Sequence, residues 1–437
     1  MFTSLKSLIS LDNPFRILYH KLRAVLANIV YDFPSKKMKI IWVTGTNWKT
    51  STCNIIAKWL IENWEKIFMF TTVNIILWDE NIKNTTKMTS PDPFVLQKYL
   101  KKAKEMWIKT AIIETASHGI LYNRIWGINY DTLILTNITQ DHLDLHRTMD
   151  NYVETKLSIF RKLITYSRKR NIKKTAIINL DSKYNELFLE ETYDITYTYW
   201  NNSLSNIKID NVFNEDSWMN FTLWIPWKDL EIKTQLRGEF NAYNIAAAVS
   251  CFISEWITVE KIEEIVSKIQ FIPGRLEEVE TNEWFKVFID YAHTEDALEK
   301  VITTLKPLAI NGQLVTVFWA TWDRDKTKRP VMWELVSRLS DKVILTQDDD
   351  YTEETISIIK DVLPWIERKE SDNFWVIPDR GEAIRTALLW WKEWDVILIA
   401  WKWDEHVMMT NSWPIEWHDK TKVEEILKII DENKILK

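Results

Sequence analysis

The chain alternates between two hydrophobic patterns from residue 39 onwards. Short apolar runs rich in β-branched residues are followed by longer segments with helical patterns. The runs predict buried strands, and the alternation is typical of parallel α/β units. The predicted strands cover residues 39–43, 110–114, 132–137 and 175–179, and then residues 287–291, 314–318, 342–346 and 396–400.

Two series of strands indicate two α/β domains, as expected for a chain of 437 residues. Between them lie residues 210–236, which alternate as a β-meander does, and an alanine-rich helix at 241–253. The first 38 residues look mostly helical and are too few for a domain of their own. We therefore predict a short helical segment at 1–38, a central domain at 39–272 and a C-terminal domain at 273–437.

Composition and charge are those of an average globular protein, with 46% hydrophobic and 27% charged residues. The net charge of -6 leaves no basic footprint for nucleic acid, so small-molecule partners are expected. Cys53 and Cys251 lie far apart, which predicts buried thiols rather than a disulfide or a zinc site. Lys6 and Asp12 interrupt the apolar N-terminus, so we expect no membrane span and a cytoplasmic location.

The tryptophan and glycine contents are abnormal, with 25 Trp and 7 Gly. Glycine usually supplies about 7% of residues, or roughly 31 in a chain this long. We hypothesise that many Trp letters stand where the natural protein has glycine, because a UGA codon that the organism reads as glycine was translated as tryptophan. The alternative is a genuinely tryptophan-rich protein.

A candidate phosphate loop follows the first predicted strand. A strand, a tight loop with Lys-Thr and a helix N-terminus form an anion cradle, in which Lys49 adds positive charge and Thr50 can hold Mg²⁺. An indole at Trp48 would block the close approach of backbone to phosphate, whereas glycine would permit it. The alternative is a chance Lys-Thr pair. The loop comprises Thr44, Gly45, Thr46, Asn47, Trp48, Lys49, Thr50 and Ser51.

A candidate metal site accompanies this loop. Glu114 ends a predicted strand, where α/β enzymes place ligand groups, and with His142 and Thr50 it offers donors suited to Mg²⁺ beside phosphate oxygens. Taken singly, Glu114 could be a structural carboxylate and His142 an ordinary loop histidine.

From about residue 39 to the C-terminus the chain resembles the Mur ligase family, in the branch that extends UDP-N-acetylmuramoyl-L-alanyl-D-glutamate by an amino acid. With glycine at residue 48 the loop would match that family's ATP loop. The resemblance implies a P-loop ATPase-like parallel-sheet domain followed by a Rossmann-like α/β domain. The other matching segments are 114–119, 136–137, 141–146, 151–156, 238–244, 273–275, 290–293 and 323–330.

The resemblance implies an ATP- and Mg²⁺-dependent ligase that activates a carboxylate as an acyl phosphate. Lys49 and the metal residues would be catalytic, and Lys156 would be carbamylated to support a second metal. The implied metal ligands are Thr50, Glu114, His142 and Lys156. The implied nucleotide contacts beyond the loop are Asn244, Arg275, Asp290 and His293, and the implied muramoyl-peptide contacts are Thr89, Ser90, Ser117 and Arg124.

The amino acid that is added would be selected by Arg324, Asp348, Asp349 and Glu405. Members of the branch that use meso-diaminopimelate carry an arginine where this chain has Tyr351. The acidic segment around Asp348 therefore favours a cationic side chain without a distal carboxylate, such as that of lysine. The alternative is a solvated acidic loop.

Three features depart from the family pattern. The first 38 residues cannot build the usual UDP-binding domain, so either UDP is held differently, a partner supplies that surface, or the substrate is not UDP-linked. Asp404 replaces a common histidine. Tryptophan also occupies glycine places at Trp319, Trp322, Trp333, Trp394, Trp401 and Trp403.

The sequence is also compatible with two other functions. One is a related ligase acting on another carboxylate, such as a folylpolyglutamate synthase or a ligase for a lipid-linked precursor. The other is a non-catalytic nucleotide-binding protein, which is favoured if tryptophan truly occupies the glycine places.

Overall fold

The computed structural model describes residues 13–86, 88–215, 218–254, 260–319, 328–348, 373–402, 407–409 and 414–435. The chain divides into two compact units. The first comprises Met1–Gln235 and Glu239–Gln270, and the second comprises Leu236–Gly238 and Phe271–Lys437.

The first unit is built on one eleven-stranded sheet, in the order β11-β10-β9-β8-β7-β6-β1-β5-β2-β3-β4. Its strands are β1 (Lys39–Thr44), β2 (Ile67–Phe70), β3 (Asn74–Leu77), β4 (Glu80–Lys83), β5 (Thr110–Thr115), β6 (Thr132–Leu135), β7 (Thr175–Asn179), β8 (Ile195–Trp200), β9 (Ile207–Asn214), β10 (Met219–Ile225) and β11 (Lys228–Thr234). Its helices are α1 (Pro14–Val30), α2 (Lys49–Glu62), α3 (Pro93–Glu105), α4 (Ser117–Leu121), α5 (Leu143–His146), α6 (Met149–Thr165), α7 (Asn185–Leu189), α8 (Glu239–Ser254) and α9 (Glu260–Ser267), with a 3₁₀ turn at Pro34–Lys37.

The centre of this sheet is parallel and its edges are antiparallel. β1 pairs in parallel with both β5 and β6, and every residue of β5 is buried. The predicted meander forms β9 to β11 and joins the same sheet through the parallel pair of β8 and β9. The expectation of a parallel sheet therefore holds for the core and needs correction at the edges, where tight turns reverse the chain at β2–β3–β4 and β9–β10–β11.

The second unit contains a six-stranded sheet in the order β12-β13-β17-β14-β15-β16. All of its pairings are parallel except that of β12 with β13. The strands are β12 (Glu277–Val279), β13 (Lys286–Asp290), β14 (Leu314–Phe318), β15 (Lys342–Leu345), β16 (Phe374–Val376) and β17 (Val396–Ala400), with a separate pair β18 (Val407–Met409) and β19 (Pro414–Glu416). The helices are α10 (Glu295–Leu305), α11 (Lys328–Leu339), α12 (Arg380–Leu389) and α13 (Asp419–Ile435), with a 3₁₀ turn at Lys306–Leu308.

These parallel sheets place functional side chains by a simple rule. The carboxyl ends of parallel strands meet at one edge of a sheet, and ligands of open α/β sheets bind there. In the first unit this edge carries the segments after β1, β5 and β6, and in the second unit it carries those after β13, β15 and β17. Within the part of the chain that the structure describes, no helix has the length and apolar content to cross a membrane.

Candidate active site

The phosphate loop connects β1 to α2 and is held against the segment after β6. Thr46 N donates to Asn137 O at 3.0 Å, and Asn47 N donates to Asn137 Oδ1 at 2.7 Å. Thr136 Oγ1 in turn donates to Asn47 O at 2.6 Å. A Cβ on Gly45 would lie 1.9 Å from Thr136 Oγ1, so only glycine fits this approach. The loop is therefore held in shape by its contacts with Thr136 and Asn137.

Trp48 is the residue at which this loop departs from a phosphate cradle. Its backbone is left-handed, with φ 71° and ψ -2°, immediately before the first turn of α2. That region costs roughly 1–2 kcal/mol for a residue with a side chain and is natural for glycine. The indole stacks on Tyr243 at 6.3 Å between ring centroids, and Tyr243 stacks on Trp200 at 4.6 Å. The backbone geometry supports the glycine hypothesis at residue 48.

Two lysines are bound to carbonyl groups of the same loop. Lys49 Nζ donates to Thr46 O at 2.6 Å, and Lys156 Nζ donates to Gly45 O at 2.9 Å. Lys156 lies on α6 and is only 1% exposed. Burial, and then the nearby charge of Lys49, lowers the pKa of Lys156 well below its ordinary value. A neutral amine is the form that reacts with carbon dioxide, so this environment suits the implied carbamylation.

Glu114 lies at the end of β5 and is bound to the helix that follows the phosphate loop. Its Oε2 accepts from Thr50 Oγ1 at 2.9 Å and from Thr72 N at 2.9 Å. Thr72 Oγ1 also donates to Glu114 Oε1 at 3.1 Å. The carboxylate is 2% exposed. Thr50 and Glu114 therefore lie in contact, and their role as metal ligands stays a prediction.

His142 belongs to a separate group of aromatic side chains. It begins α5 with φ 54°, and its Nε2 lies 3.3 Å from Asp141 Oδ2. Its ring meets the His118 ring edge-on at 4.5 Å. Tyr152 links this group to Lys156, since its ring lies 6.4 Å from the His142 ring and 4.5 Å from Lys156 Nζ.

The donors that lie together fit a magnesium ion. Among the residues that the structure describes, no three His, Cys, Asp or Glu side chains are grouped so that they could hold a metal ion. Mg²⁺ beside a nucleotide needs only one or two protein ligands, because phosphate oxygens and waters complete its shell. The hydroxyl of Thr50 and the carboxylate of Glu114 are hard oxygen donors next to the phosphate loop. They would hold the ion.

Three of the residues implied to hold the muramoyl-peptide are joined by hydrogen bonds to segments near Glu114. Thr89 Oγ1 is 2.7 Å from Thr72 Oγ1, and Ser90 Oγ accepts from Ala116 N at 3.2 Å. Arg124 Nη1 donates to Ser90 O at 3.1 Å. Burial lowers the pKa of Arg124 from its usual high range. An arginine guanidinium is nevertheless charged in proteins.

Ser117, also implied to bind the muramoyl-peptide, is connected to α6 through a buried histidine. His146 Nε2 lies 2.9 Å from Ser117 Oγ, and His146 Nδ1 lies 3.3 Å from Thr155 Oγ1. Burial, and then the charge of Lys156, lowers the pKa of His146 to about 4. The imidazole is neutral at pH 7 and ties the start of α4 to α6.

Asn244 approaches the first turns of α2 from α8. Its Oδ1 accepts from Thr52 Oγ1 at 3.4 Å, and its Nδ2 donates to Asn241 Oδ1 at 2.9 Å. Asn244 is 1% exposed. In the first unit, Asn244 therefore contacts the helix that begins at the phosphate loop.

In the second unit, Arg275, Asp290 and His293 lie near the end of β13. Asp290 accepts from Leu276 N and from Ala292 N, each at 2.6 Å. Burial raises the pKa of Asp290, although Arg275 acts in the opposite direction. The Arg275 guanidinium lies 4.8 Å from the Tyr291 ring centroid, and the His293 ring lies 4.3 Å from the same ring.

Asp348 lies after β15 and is paired with a lysine that sequence reasoning missed. Lys402 Nζ donates to Asp348 Oδ1 at 3.0 Å, and both side chains are buried. Lys402 follows β17, whose position in the sheet brings it to the same edge. The remaining residues predicted to select the amino acid, and two of the tryptophans at glycine places, lie outside the described residues: Arg324, Asp349, Tyr351, Glu405, Trp322 and Trp403.

Thr72 is the second residue that sequence reasoning missed. It lies between β2 and β3 and gives Glu114 two of its hydrogen bonds. The local signal was weak, because Thr71-Thr72 is an ordinary polar turn and nothing in its spacing marks a ligand. The pairing of β2 with β5 brings it to the site.

Together, the fold and the site define an α/β enzyme that binds phosphate at a loop between a buried strand and a helix. The Mur ligase middle domain matches residues 43–252, and the Mur ligase glutamate ligase domain matches residues 274–400. The chain belongs to the Mur ligase family.

Curated relatives and solved structures agree with this membership. The chain is 34% identical over 410 residues to UDP-N-acetylmuramoyl-L-alanyl-D-glutamate--2,6-diaminopimelate ligase 1 of Clostridium acetobutylicum, covering 93% of this chain and 82% of the relative. The corresponding ligase of Bacillus cereus is 33% identical over 390 residues, with 89% and 77% covered. A solved structure of a ligase of that name has a TM-score of 0.60 at 25% identity and covers 90% of this chain and 79% of its own.

The fold is shared more widely than the sequence. A folylpolyglutamate synthase of Mycobacterium tuberculosis, solved with ADP, has a TM-score of 0.71 at 16% identity and covers 87% of this chain and 91% of its own. The predicted family and the predicted fold class are confirmed. The prediction of an ATP-dependent acid–amino-acid ligase with Mg²⁺ as cofactor is confirmed as well.

Proposed function

We propose that the chain joins the D-glutamyl side carboxylate of UDP-N-acetylmuramoyl-L-alanyl-D-glutamate to the amino group of a diamino acid. The observation that carries this proposal is the shaped loop at 44–51 with Thr50 bound to Glu114. The curated relatives that match most of this chain are named as ligases that act on this dipeptide precursor.

The chemistry follows from the leaving group. An amine does not displace oxygen from a carboxylate directly, so the γ-phosphoryl group of ATP is first transferred to the carboxylate, releasing ADP. The amino group then forms the C–N bond and expels phosphate. The helix dipole of α2 and the ammonium of Lys49 stabilise the charge of the transferring phosphoryl group.

Thr50 and Glu114 would hold Mg²⁺, which neutralises phosphate charge when it is bound. We propose that His142 and a carbamylated Lys156 support a second ion, since Tyr152 brings the two side chains to one region. Asn244, Arg275, Asp290 and His293 are proposed nucleotide contacts.

The muramoyl-peptide is proposed to bind along Thr89, Ser90, Ser117 and Arg124. Thr89 is linked to Glu114 through Thr72, and Ser90 accepts from the backbone of Ala116 just after β5. The charged Arg124 suits a carboxylate of the peptide. This arrangement would place the acceptor carboxylate beside the phosphate loop.

We propose 2,6-diaminopimelate as the first candidate for the added amino acid, because the curated relatives named above carry it in their names. The expected preference for lysine finds no support in those relatives. Asp348, on which that expectation partly relied, is already paired with Lys402. Lysine stays the second candidate, because Tyr351 stands where diaminopimelate enzymes of the family carry arginine. Selection by Arg324, Asp349 and Glu405 stays a prediction.

An ADP-release assay on the Trp48→Gly protein, with the UDP-linked dipeptide and each amino acid, tests the proposal, and mass spectrometry identifies the product. We expect activity with diaminopimelate that exceeds activity with lysine. Glu114→Gln and Lys49→Met should each lower kcat by about 10²–10³. A protein that folds, binds ATP and releases no ADP with the dipeptide and either amino acid would refute the substrate assignment. Cytoplasmic location and a partner that supplies a UDP-binding surface stay predictions.

The proposed activity requires a slim residue at 48, so we also propose that the natural protein has glycine there. Peptide mass spectrometry of protein purified from its source organism measures this directly. Detection of tryptophan at residue 48 would reject the hypothesis and favour the non-catalytic alternative.

A further inference from the structure

α1 carries a continuous apolar stripe on its outer side. Its members recur at intervals of one, three or four residues over about 22 Å of helix, which places them on one face. Each is at least half exposed, with fractions between 50% and 80%. The stripe consists of Phe15, Leu18, Tyr19, Leu22, Leu26, Ile29 and Val30.

The helix is nevertheless firmly attached to the first unit by its opposite side. Ala24, Ala27 and Asn28 are buried. Asn28 Nδ2 donates to Trp126 O at 2.7 Å, and Arg23 Nη2 pairs with Asp92 Oδ2 at 2.7 Å. The usual pattern of a surface helix is thus inverted, since small residues face the protein and large apolar residues face outward.

Basic residues flank the stripe on both sides. At 100° per residue, Arg16 and Arg23 lie along one flank and Lys21 along the other. The helix contains no aspartate or glutamate. Burial, and then the charge of Lys21, lowers the pKa of Lys162 on α6. This local positive charge contrasts with the net charge of -6 of the chain.

The neighbouring helix α3 carries four further lysines. Lys104 pairs with Asp32 at 2.9 Å just after α1 ends, and Arg23 pairs with Asp92 at the start of α3. α3 therefore runs beside the second half of α1. Of the lysines on α3, Lys101 pairs with Glu105 and Lys102 pairs with Glu80, whereas Lys98 is exposed.

We propose that α1 is an interfacial helix that docks the protein on an anionic lipid surface. A stripe of aliphatic and aromatic residues between basic flanks is the pattern of helices that lie in the headgroup region. A second copy fits less well, because a twofold pairing of two α1 helices would bring the basic flanks of both copies together. This inference does not depend on the proposed reaction.

Vesicle sedimentation of the full chain tests this docking. We expect binding to vesicles of phosphatidylcholine with phosphatidylglycerol, and weak binding to phosphatidylcholine alone. The double variant Leu18→Glu/Leu22→Glu should reduce the partition coefficient at least about tenfold. The matched control is Leu204→Glu, since Leu204 is 81% exposed in the turn after β8. It should bind as the unaltered chain does.

A charge variant keeps the test decisive if the double variant fails to fold. Lys21→Glu alters one exposed side chain and should weaken binding to the anionic vesicles in a salt-dependent way. Absence of binding to anionic vesicles would overturn the proposal, as would equal binding to neutral ones. Light scattering provides a third outcome. A dimer that becomes a monomer in the double variant would assign the stripe to a second copy, and a soluble acidic protein that competes with vesicles would assign it to a protein partner.

Discussion

Individual tryptophans adopt backbone conformations that suit glycine. Left-handed φ values occur at Trp48, Trp64, Trp78, Trp107, Trp394 and Trp401. Other buried tryptophans lack the hydrogen bond that a buried indole usually makes, since Nε1 of Trp42, Trp59, Trp319 and Trp333 has no partner among the described residues. Trp417 differs, because its Nε1 donates to Asp419 Oδ1 at 2.8 Å. Backbone φ values and indole hydrogen bonds therefore distinguish positions that suit glycine from Trp417, where the indole makes a hydrogen bond.

Residue 64 gives a stability test of this distinction. Trp64 lies just after α2, where its N–H donates to Ile61 O and the next N–H donates to Leu60 O, as in a glycine-terminated helix. The side chain is 90% exposed, so little burial is lost on truncation. We expect Trp64→Gly to be about 1 kcal/mol more stable than Trp64→Ala in urea unfolding. The order should reverse at Trp417, and a more stable alanine at residue 64 would contradict the glycine hypothesis there.

Lys156 gives a chemical test at the same scale. Burial and Lys49 lower the pKa of Lys156 well below its ordinary value, which favours the neutral amine that reacts with carbon dioxide. We expect ¹³C-labelled bicarbonate to produce a carbamate carbon signal in NMR, and ligase activity to fall in carbon dioxide-free buffer. Lys156→Arg should abolish the signal and lower kcat about 10²-fold or more. Full activity without carbon dioxide and without a signal would exclude carbamylation.

Among the elements, α4 and α6 are joined by the neutral imidazole of His146. Its pKa is about 4 in the folded protein and ordinarily about 6.5, so the unfolded chain binds more protons between these values. Stability contributed by this group is complete above pH 6.5 and is lost as pH falls towards 4. One pKa unit corresponds to about 1.4 kcal/mol, which predicts a loss of roughly 2–3 kcal/mol in the protein with unmodified Lys156.

Denaturant unfolding between pH 7 and pH 4 measures this loss. His146→Gln should be less stable at pH 7 and should show a shallower decline towards pH 4. His20 should add to the loss of stability over the same pH range, because burial and three nearby arginines lower its pKa to about 4 as well. An unchanged slope in His146→Gln would show that His146 does not titrate on unfolding.

The sequence predicts the parallel core better than the edges of the sheet. Buried strands such as β1, β5 and β7 carry continuous apolar runs, so their existence follows from local pattern. β6 ends at Leu135, two residues before the prediction, because the side chains of Thr136 and Asn137 bind the phosphate loop. The short strands β2, β3 and β4 were not predicted, since four-residue runs resemble segments of buried helix.

The same limit applies to the candidate site. Lys49, Thr50 and Glu114 could be predicted because each belongs to a local motif at the end of a strand. Thr72 and Lys402 could not, because their roles arise from strand pairings between distant segments. Local spacing also cannot show that His146 contacts Ser117 across 29 positions of sequence.

For the whole molecule, we expect nucleotide binding to raise thermal stability only when residue 48 has a small side chain or none. A ligand that binds the folded state alone stabilises it by about 2.7 kcal/mol at one hundred times its Kd. We expect Mg²⁺-ATP to raise the Tm of the Trp48→Gly protein in a concentration-dependent way. The chain with tryptophan at residue 48 should show little or no shift, because the indole fills the approach to the loop beside Tyr243.

Two further variants make this measurement specific to the phosphate loop. Trp48→Ala removes the indole and retains a Cβ at φ 71°, so its shift should be smaller than that of Trp48→Gly. Adding Lys49→Met to Trp48→Gly removes the ammonium that neutralises phosphate and should abolish most of the shift. An equal Tm shift with tryptophan, alanine and glycine at residue 48 would mean that nucleotide binds elsewhere in the chain. In that case the loop at 44–51 would not be the phosphate site.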